Sequence, residues 1–424
     1  MIQPRRLYAF LLGNSKYEVL TPITTERNFT ALIDPSDGQK KSYRIKAFDG
    51  LRGVAALSVA IYHYLCLIHP TWVADMASEP KPVVDTPLYF FWNGAFAVAL
   101  FFVLSGYVIA AAAERRTVGF ISMALTRYLR LTVPAAASCL LAWFLLSLFP
   151  NATQVLASSI DQPSRWLQFT YQNYTGSVGD VLREGFLDIY SFGKSRLNNV
   201  LWTMRIELFG SVGLFLIYGI FSGRYRVLAL IVASLLLPPI TEPSYLAFGL
   251  GALVFEAHRN GLLDKFLNRS IFPVILLVAA IALSFPGDGA HTRSDLPWIQ
   301  EDLQWGEHRG FLHVIGATLL ILSTLYINVL RTFLDRPTLV WLGQISFSLY
   351  LVHVPILYTI VAYARIETTL HSSVIFACFL AGSTAIAVIF ERTVDLPLLK
   401  VLPRIRRIVN NLVGNVASNF FRKS

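Results

Sequence analysis

Residues 93–113 read NGAFAVALFFVLSGYVIAAAA, twenty-one residues in a row without a charged side chain. As an α-helix, which rises about 1.5 Å per residue, this segment is about 32 Å long and matches the roughly 30 Å hydrocarbon core of a bilayer. An apolar stretch of this length predicts a membrane-spanning helix. The fold class therefore depends on how often such segments recur along the chain.

Ten apolar segments of about spanning length occur in the 424 residues. Their approximate limits are 54–69, 93–113, 131–149, 200–221, 225–241, 244–258, 271–285, 310–330, 339–364 and 373–395. We therefore predict an all-α fold, a polytopic membrane helix bundle of about ten transmembrane helices. The fifth and sixth segments are separated only by a proline-containing turn, so they form either two short spans or one re-entrant pair.

The composition supports a membrane protein and excludes several other classes. Hydrophobic residues make up 54% of the chain and charged residues 15%, against about 25% in a typical soluble domain. A chain this apolar is neither disordered nor able to cover a large soluble globule with charge. The net charge of +10 does not indicate nucleic-acid binding, because that would need basic residues clustered on a solvated domain. The expected surrounding is the lipid bilayer.

The distribution of charge predicts the orientation. If all ten segments cross and both termini are cytosolic, most of the 36 Lys and Arg residues fall on the cytosolic side, as the positive-inside rule requires. We therefore predict a multi-pass protein of the plasma membrane or an endomembrane. Its regions are a cytosolic N-terminal tail (1–46), a membrane domain (47–396) and an amphipathic cytosolic C-terminal tail (397–424). The C-terminal tail either lies on the leaflet or docks on the bundle.

Polar residues inside the spans are candidate functional residues, because they are costly in lipid. His63 comes eleven residues after Arg52, which places the two on one helical face roughly 16 Å apart along the axis. Ser105, Glu207 and His353 fall at a similar depth in three other spans. The alternative for each is a buried hydrogen-bond network that fastens the helices.

A second group of candidates lies at the cytosolic ends of the helices. Arg127 and Arg130 are three residues apart and share a helical face, close to Arg52 in depth. Guanidinium groups match phosphate oxygens, so this group suits a multiply charged phosphate ligand; ordinary positive-inside anchoring is the alternative. A long donor such as an acyl thioester of coenzyme A would place its phosphates here and its reactive end beside His63. Imidazole is the usual general base for a hydroxyl acceptor.

At these residues the chain resembles acyltransferase family 3, the integral-membrane O-acyltransferases that modify sugars and small hydroxylated molecules. The similar motifs are Phe48–Gly53 followed by His63, Phe102–Tyr107, the pair Arg127 and Arg130, Leu201–Glu207, Ser346–His353, and Glu391 with Arg392. Together they cover about 47–396. Two departures are Tyr107, where the family has Phe, and Leu208–Ser211, where the family often has aromatic residues.

The resemblance implies an acyl-CoA donor that binds from the cytosol, with Arg52 and His63 essential and with Arg127 and Arg130 at the donor end. It also implies a substrate-binding role for three further residues, Ser105, Tyr350 and His353. His63 would deprotonate the acceptor or form a transient acyl adduct, and Glu207 would orient His63 or bind the acceptor. We expect acetyl-CoA as co-substrate, no permanently bound cofactor and no metal.

The expected activity is transfer of an acyl group, in the first place acetyl, to a hydroxyl of a carbohydrate or a lipophilic small molecule. Two other functions are compatible with the same buried His and Glu residues. One is a proton-coupled small-molecule transporter. The other is an acid–base isomerase or cyclase of the same fold that does not use CoA. The sequence contains no feature that identifies the acceptor or the oligomeric state.

Overall fold

The computed structural model describes residues 45–421 apart from gaps at 74–82, 85, 116–118, 162, 172–173, 175, 237–243, 269–270 and 285–305. The described residues form helices and connecting turns and contain no β-strand. The predicted all-α fold class is thus confirmed. The predicted N-terminal tail lies almost entirely outside the described residues.

The helices follow one another along the chain with few long connections. The first part contains α1 (Lys46–Ile68), α2 (Gly94–Glu114), α3 (Phe120–Leu148), α4 (Ala152–Ser159), α5 (Arg165–Phe169), α6 (Val178–Arg183), α7 (Ile189–Ser191) and α8 (Trp202–Ile220). The second part contains α9 (Arg224–Leu236), α10 (Ser244–Arg259), α11 (Asp264–Leu267), α12 (Phe272–Ala282), α13 (Gly306–Tyr326), α14 (Asn328–Leu334), α15 (Pro337–Gln344), α16 (Ser346–Ile356), α17 (Ala362–Glu367), α18 (Ser372–Phe390) and α19 (Leu396–Phe421). Single π-helical turns lie at Glu184–Asp188, Leu357–Val361 and Glu391–Asp395.

Six helical stretches of the described chain are long and apolar enough to cross a membrane. They are Lys46–Ile68, Gly94–Glu114, Phe120–Leu148, Asn199–Ile220, Ser346–Glu367 and Ser372–Val413. A seventh is present if α13 and α14, which meet at 96°, are one broken span. α9, α10 and α12 correspond to predicted spans but are shorter than the roughly 20 residues that a span needs. A multi-pass membrane protein is therefore supported, and the number ten stays a prediction.

α2 lies at the centre of the packing, against α1, α8, α10 and α13. Its closest neighbour is α10, and two glycines allow the approach. A Cβ atom at Gly106 would lie 2.4 Å from the Phe248 carbonyl oxygen, and one at Gly251 would lie 2.1 Å from the Val103 carbonyl oxygen. Small residues at such crossings let helix backbones touch. Gly106 therefore fixes the position of α2 and of Ser105 before it.

The predicted span 339–364 is divided in the structure, because α15 is a separate short helix that packs across the start of α1. A Cβ atom at Gly343 of α15 would lie 1.9 Å from the Asp49 carbonyl oxygen. A Cβ atom at Gly53 of α1 would lie 2.7 Å from the Gly343 nitrogen at the same contact. α16 and α17 then form the spanning part, joined by a π turn. The glycines around Arg52 thus serve helix packing and hold Arg52 in place.

The C-terminal helix α19 continues from α18 and packs along α3. The Ser122 hydroxyl donates a hydrogen bond to the Arg406 carbonyl oxygen at 3.1 Å. Val409 is half-buried at this contact, whereas Ile408 and Leu412 are 57% and 59% exposed. One edge of the predicted amphipathic helix therefore docks on the bundle, and a second apolar edge faces outward.

Candidate functional site

A cavity of about 90 Å³ lies among α1, α2, α3, α8 and α16. Its polar lining consists mainly of residues that the sequence analysis selected, namely Arg52, Ser105, Arg127, Arg130, Glu207 and Tyr350. Apolar side chains complete the wall, among them Val98, Phe101 and Met204. Six of the eight predicted site residues therefore share one cavity, whereas His63 and His353 do not line it.

Arg127 and Glu207 form an ion pair in the cavity wall, where their side chains are 14% and 12% exposed. Glu207 also accepts a hydrogen bond from the Ser105 hydroxyl at 2.6 Å. The Nε of Arg127 donates to the Ser211 hydroxyl at 2.9 Å. A carboxylate with little access to water needs a cation and hydrogen-bond donors. Glu207 therefore joins α2, α3 and α8 around the cavity.

The arginines form a cluster of three guanidinium groups. Arg130 follows Arg127 by three residues on α3, is 9% exposed and lines the same cavity, as their shared helical face predicted. Arg52 reaches the cavity from α1. Three guanidinium groups from two helices give the cavity wall a high density of hydrogen-bond donors and positive charge. Such a wall favours an anionic ligand.

Asp395 is a member of this cluster that the sequence analysis did not identify. It lies in the π turn after α18, is 5% exposed and acts electrostatically on Arg130 and Arg52. Its Oδ1 atom is buried without a hydrogen-bond partner in the part of the chain that the structure describes. π turns within α-helices are frequent at functional sites. A signal was present in the sequence, since an acidic residue close to an apolar span is a functional candidate by default.

His63 of α1 and His353 of α16 are in direct contact, with His353 Nε2 3.1 Å from His63 Nδ1. Both side chains are buried, with 4% and 0% exposed. His353 Nδ1 lies 3.0 Å from the Leu349 carbonyl oxygen, and His63 Nδ1 lies 3.1 Å from the Val59 carbonyl oxygen. The fourth nitrogen, His63 Nε2, is buried and has no hydrogen-bond partner among the described residues.

Tyr350 connects the histidine pair with the cavity. It lines the cavity, and its ring centre lies 5.8 Å from that of His353, one turn further along α16. The Tyr350 hydroxyl donates to the Val200 carbonyl oxygen at 3.0 Å, which fixes the ring. A donor whose charged end lies among the arginines would have to pass Tyr350 to reach His63.

Trp166 is a second neighbour of His63 and was not identified from the sequence. It belongs to α5 in the connection between α3 and α8, and its ring centre lies 4.5 Å from that of His63 in an edge-to-face arrangement. α5 is held at its start by Ser164, whose hydroxyl accepts from the Leu167 amide at 3.2 Å. No local pattern in the sequence indicated that this connection folds back onto α1.

The structure arranges the predicted residues differently from the depths inferred from sequence. The arginines were expected near the cytosolic surface and the other polar residues deeper, but Arg127 binds Glu207 directly. The Glu207 carboxylate binds Arg127 and Ser105, whereas His63 Nδ1 faces His353. The two residues predicted to be catalytic therefore belong to different parts of the site. Long side chains explain the difference, because a guanidinium group reaches well beyond its own Cα atom.

His69, which directly follows the last residue of α1, provides a contrast to His63. Its ring centre lies 5.8 Å from that of Trp72, away from the His63–His353 pair. Burial, and then the nearby positive charge of Arg365, lowers the pKa of His69 below its usual value. Within the described part of the chain, no three His, Cys, Asp or Glu side chains are grouped closely enough to hold a metal ion.

Comparison with known protein families identifies the family of this chain. The family model of the acyltransferase 3 domain matches residues 45–392, more than four fifths of the chain. That range contains all eight predicted site residues. No curated protein and no solved structure is detectably similar to the chain. The chain therefore belongs to the acyltransferase 3 family and is a membrane acyltransferase.

Proposed function

We propose that the protein transfers an acyl group, acetyl in the first place, from acyl-CoA to a hydroxyl of a carbohydrate or lipophilic small molecule. The observation that carries this proposal is the cavity in which three arginines meet Ser105, Glu207 and Tyr350 within a chain of the acyltransferase 3 family. The histidine pair next to the cavity supplies the base that the reaction needs.

The arginine cluster is the proposed site of the CoA phosphates. Three guanidinium groups offer paired donors that fit phosphate oxygens. Without a donor, Glu207 compensates Arg127, Asp395 compensates Arg130, and Asp49 compensates Arg52. Phosphates would replace part of this internal compensation, so binding exchanges one set of ion pairs for another. This makes the donor site anion-selective without leaving unpaired charge when the site is empty.

The size of the cavity limits how much of a donor it encloses. Pockets that enclose a whole drug-sized ligand measure about 300–1,000 Å³, whereas this cavity is about 90 Å³. It therefore accommodates only part of a donor, beside the arginines. We propose acetyl, a small acyl group, as the preferred one.

His63 is the proposed general base, because its Nε2 is a buried ring nitrogen without a partner in the described residues. Trp166 lies against His63 and belongs to the connection between α3 and α8, so we propose that the acceptor approaches along this connection. Aromatic rings with one apolar face are common in small-molecule sites. The proposed orientation keeps both termini cytosolic and the α3–α8 connection on the opposite side, in the plasma membrane or an endomembrane.

Two measurements test the proposed function. Extracts of cells that express the wild-type protein or His63→Ala are compared by mass spectrometry. We expect a product heavier by one acyl group only with the wild-type protein. Purified protein should also release CoA from acetyl-CoA when the unacylated form of that product is added as the acceptor.

Uptake of the acceptor into proteoliposomes without acyl-CoA would instead favour the proton-coupled transporter. Conversion of the acceptor to an isomer without CoA would favour the acid–base isomerase or cyclase. The absence of any mass increase of one acyl group, together with either of these results, would contradict the proposal.

A further inference from the structure

The contacts of the histidine pair determine which ring nitrogens carry hydrogen. A carbonyl oxygen only accepts hydrogen bonds, so His353 Nδ1, 3.0 Å from the Leu349 carbonyl oxygen, is the donor in that contact. In a neutral imidazole the other nitrogen is then an acceptor. His353 Nε2 therefore accepts from His63 Nδ1, at 3.1 Å.

The contacts of His63 likewise determine which of its ring nitrogens carries the hydrogen. Its Nδ1 lies 3.1 Å from the Val59 carbonyl oxygen as well, so both neighbours of this nitrogen are acceptors and Nδ1 carries the hydrogen. His63 Nε2 then bears the lone pair, and it is the nitrogen left without a partner in the described chain. The arrangement of four nitrogens thus leaves one basic atom, in one orientation.

Val59 alone would hold His63 less well than His353 does. The Val59 carbonyl oxygen lies four residues before His63 in α1 and is already the acceptor of the helical hydrogen bond from the His63 amide. His353 Nε2, by contrast, is an acceptor that takes no part in the backbone hydrogen bonds of a helix. It is therefore the stronger acceptor for His63 Nδ1, particularly once His63 becomes positively charged.

We propose that His353 is a positioning residue that fixes the tautomer of His63 and stabilises its protonated form during acyl transfer. This role rests on the proposed function. It replaces the orientation of His63 by Glu207 that the sequence suggested, since the Glu207 carboxylate is bound by Arg127 and Ser105. The site therefore uses a second neutral imidazole where many hydrolases use a carboxylate.

The proposed step conserves atoms and charge. The acceptor O–H bond breaks, its proton moves to His63 Nε2 and the oxygen forms a bond to the acyl carbon. The carbon–sulfur bond then breaks, and the proton on Nε2 moves to the CoA sulfur. His63 Nδ1–H donates to His353 Nε2 throughout, so His353 keeps its proton on Nδ1 and changes no bond.

The test compares two nucleophiles with the purified protein. Acyl transfer from acetyl-CoA to water needs a general base, whereas hydroxylamine attacks thioesters in its neutral form and does not. The variants are His353→Leu, His353→Gln and, as a matched control, His69→Leu at the end of the same helix as His63. CoA release, after subtraction of the rate without protein, gives kcat and the KM for acetyl-CoA with each nucleophile.

We expect His353→Leu to lower kcat with water by about tenfold or more, at most the roughly 10²–10⁴-fold lost with the general base itself, and to leave the KM for acetyl-CoA unchanged. The rate with hydroxylamine should stay near that of the wild type. His353→Gln should recover most of the rate with water, because its amide oxygen can accept from His63 Nδ1. His69→Leu should resemble the wild type in both reactions.

Equal losses with water and hydroxylamine in His353→Leu would overturn the inference, because they indicate a merely structural role. A Gln variant no better than the Leu variant would overturn it as well. Wild-type protein that releases no CoA with either nucleophile, and whose expression gives no product heavier by one acyl group, would contradict the proposed function itself, and the role of His353 with it.

Discussion

The arginine cluster and the histidine pair are neighbouring parts of one site with opposite physical character. The cluster contains Arg127 and Glu207 as an ion pair, lines a cavity and balances its charges internally. The pair formed by His63 and His353 does not line that cavity and is buried among aromatic rings. Tyr350 lines the cavity of the arginine cluster, and its ring centre lies 5.8 Å from that of His353.

This difference assigns the two parts to different steps of the proposed reaction. A positively charged wall that is rich in hydrogen-bond donors binds an anion well but is unsuitable for deprotonating a neutral hydroxyl. A buried neutral imidazole is suited to proton transfer but offers no charge to hold a phosphate. Changes in one part should therefore affect binding, and changes in the other should affect the rate. The predictions below are ordered from the largest expected effect to the smallest.

The largest effect should come from the histidine pair. His63→Ala is expected to lower kcat by about 10²–10⁴-fold, because it removes the general base. Binding of acetyl-CoA, measured with radiolabelled ligand, should stay within about twofold of the wild type, since the arginine cluster is intact. Loss of folding is checked by gel filtration in detergent, and normal transfer by the folded variant would contradict the role of His63.

The next effect concerns the ion pair of the arginine cluster. Arg127→Met should destabilise the protein by about 3–5 kcal/mol, because Glu207 is left as an uncompensated, mostly buried charge. The double variant Arg127→Met with Glu207→Leu should recover much of this loss, since neither charge remains. Both should bind acetyl-CoA weakly. Thermal unfolding of Arg127→Met, Glu207→Leu and the double variant gives the coupling energy between the two residues.

If the double variant is no more stable than Arg127→Met, the ion pair does not control the stability of this region. Arg224→Ala is the matched control, because this arginine is exposed at the start of α9 and does not line the cavity. It should change neither the unfolding temperature nor acetyl-CoA binding.

A smaller effect is expected from a change in the packing of α2 against α10, which supports the arginine cluster. Gly106→Ala would place a Cβ atom 2.4 Å from the Phe248 carbonyl oxygen and push α2 away from α10. Overpacking of this kind costs about 1–3 kcal/mol. Gly213→Ala on α8 is the control, because no atom lies within 4 Å of its added Cβ.

Thermal unfolding and acetyl-CoA affinity are measured for both glycine variants. We expect Gly106→Ala to lower both and Gly213→Ala to leave both unchanged or to raise stability slightly, as alanine favours helices. Equal behaviour of the two variants would show that the close approach of α2 and α10 does not support the cluster.

The smallest effect should come from the acceptor side of the histidine pair. Trp166→Ala is expected to raise the KM for the acceptor severalfold and to leave the KM for acetyl-CoA unchanged. Trp166→Phe should retain most of the affinity because it keeps an aromatic ring against His63. Phe169→Ala, on the same short helix and 73% exposed, is the control. A change in the KM for acetyl-CoA instead would show that Trp166 belongs to the acetyl-CoA site.

Much of the site was predictable from sequence because it lies on long helices with a regular period. The spacing of three between Arg127 and Arg130 agrees with their position on one wall of the cavity, and Ser105 and Glu207, expected at a similar depth, are joined by a hydrogen bond. The family was also recognised correctly from short motifs in the right order. These predictions depend only on helical periodicity and chain order.

The remaining features depend on contacts between segments that are distant in sequence. The position of Trp166 follows from how the α3–α8 connection folds back onto α1, for which no local pattern exists. The pairing of His63 with His353, rather than with Glu207, depends on the rotation of α16 against α1. The division of the predicted span 339–364 arises from the contact of Gly343 with α1. Periodicity alone does not determine these interhelical arrangements.

The central claim is that donor binding and proton transfer are separated between the two parts of the site. The most direct test measures acetyl-CoA binding and acyl transfer on the same preparations of wild type, His63→Ala and Arg130→Ala. The account predicts that His63→Ala binds acetyl-CoA normally and does not transfer, whereas Arg130→Ala loses binding. Loss of binding in His63→Ala equal to that in Arg130→Ala, or normal binding in Arg130→Ala, would contradict it.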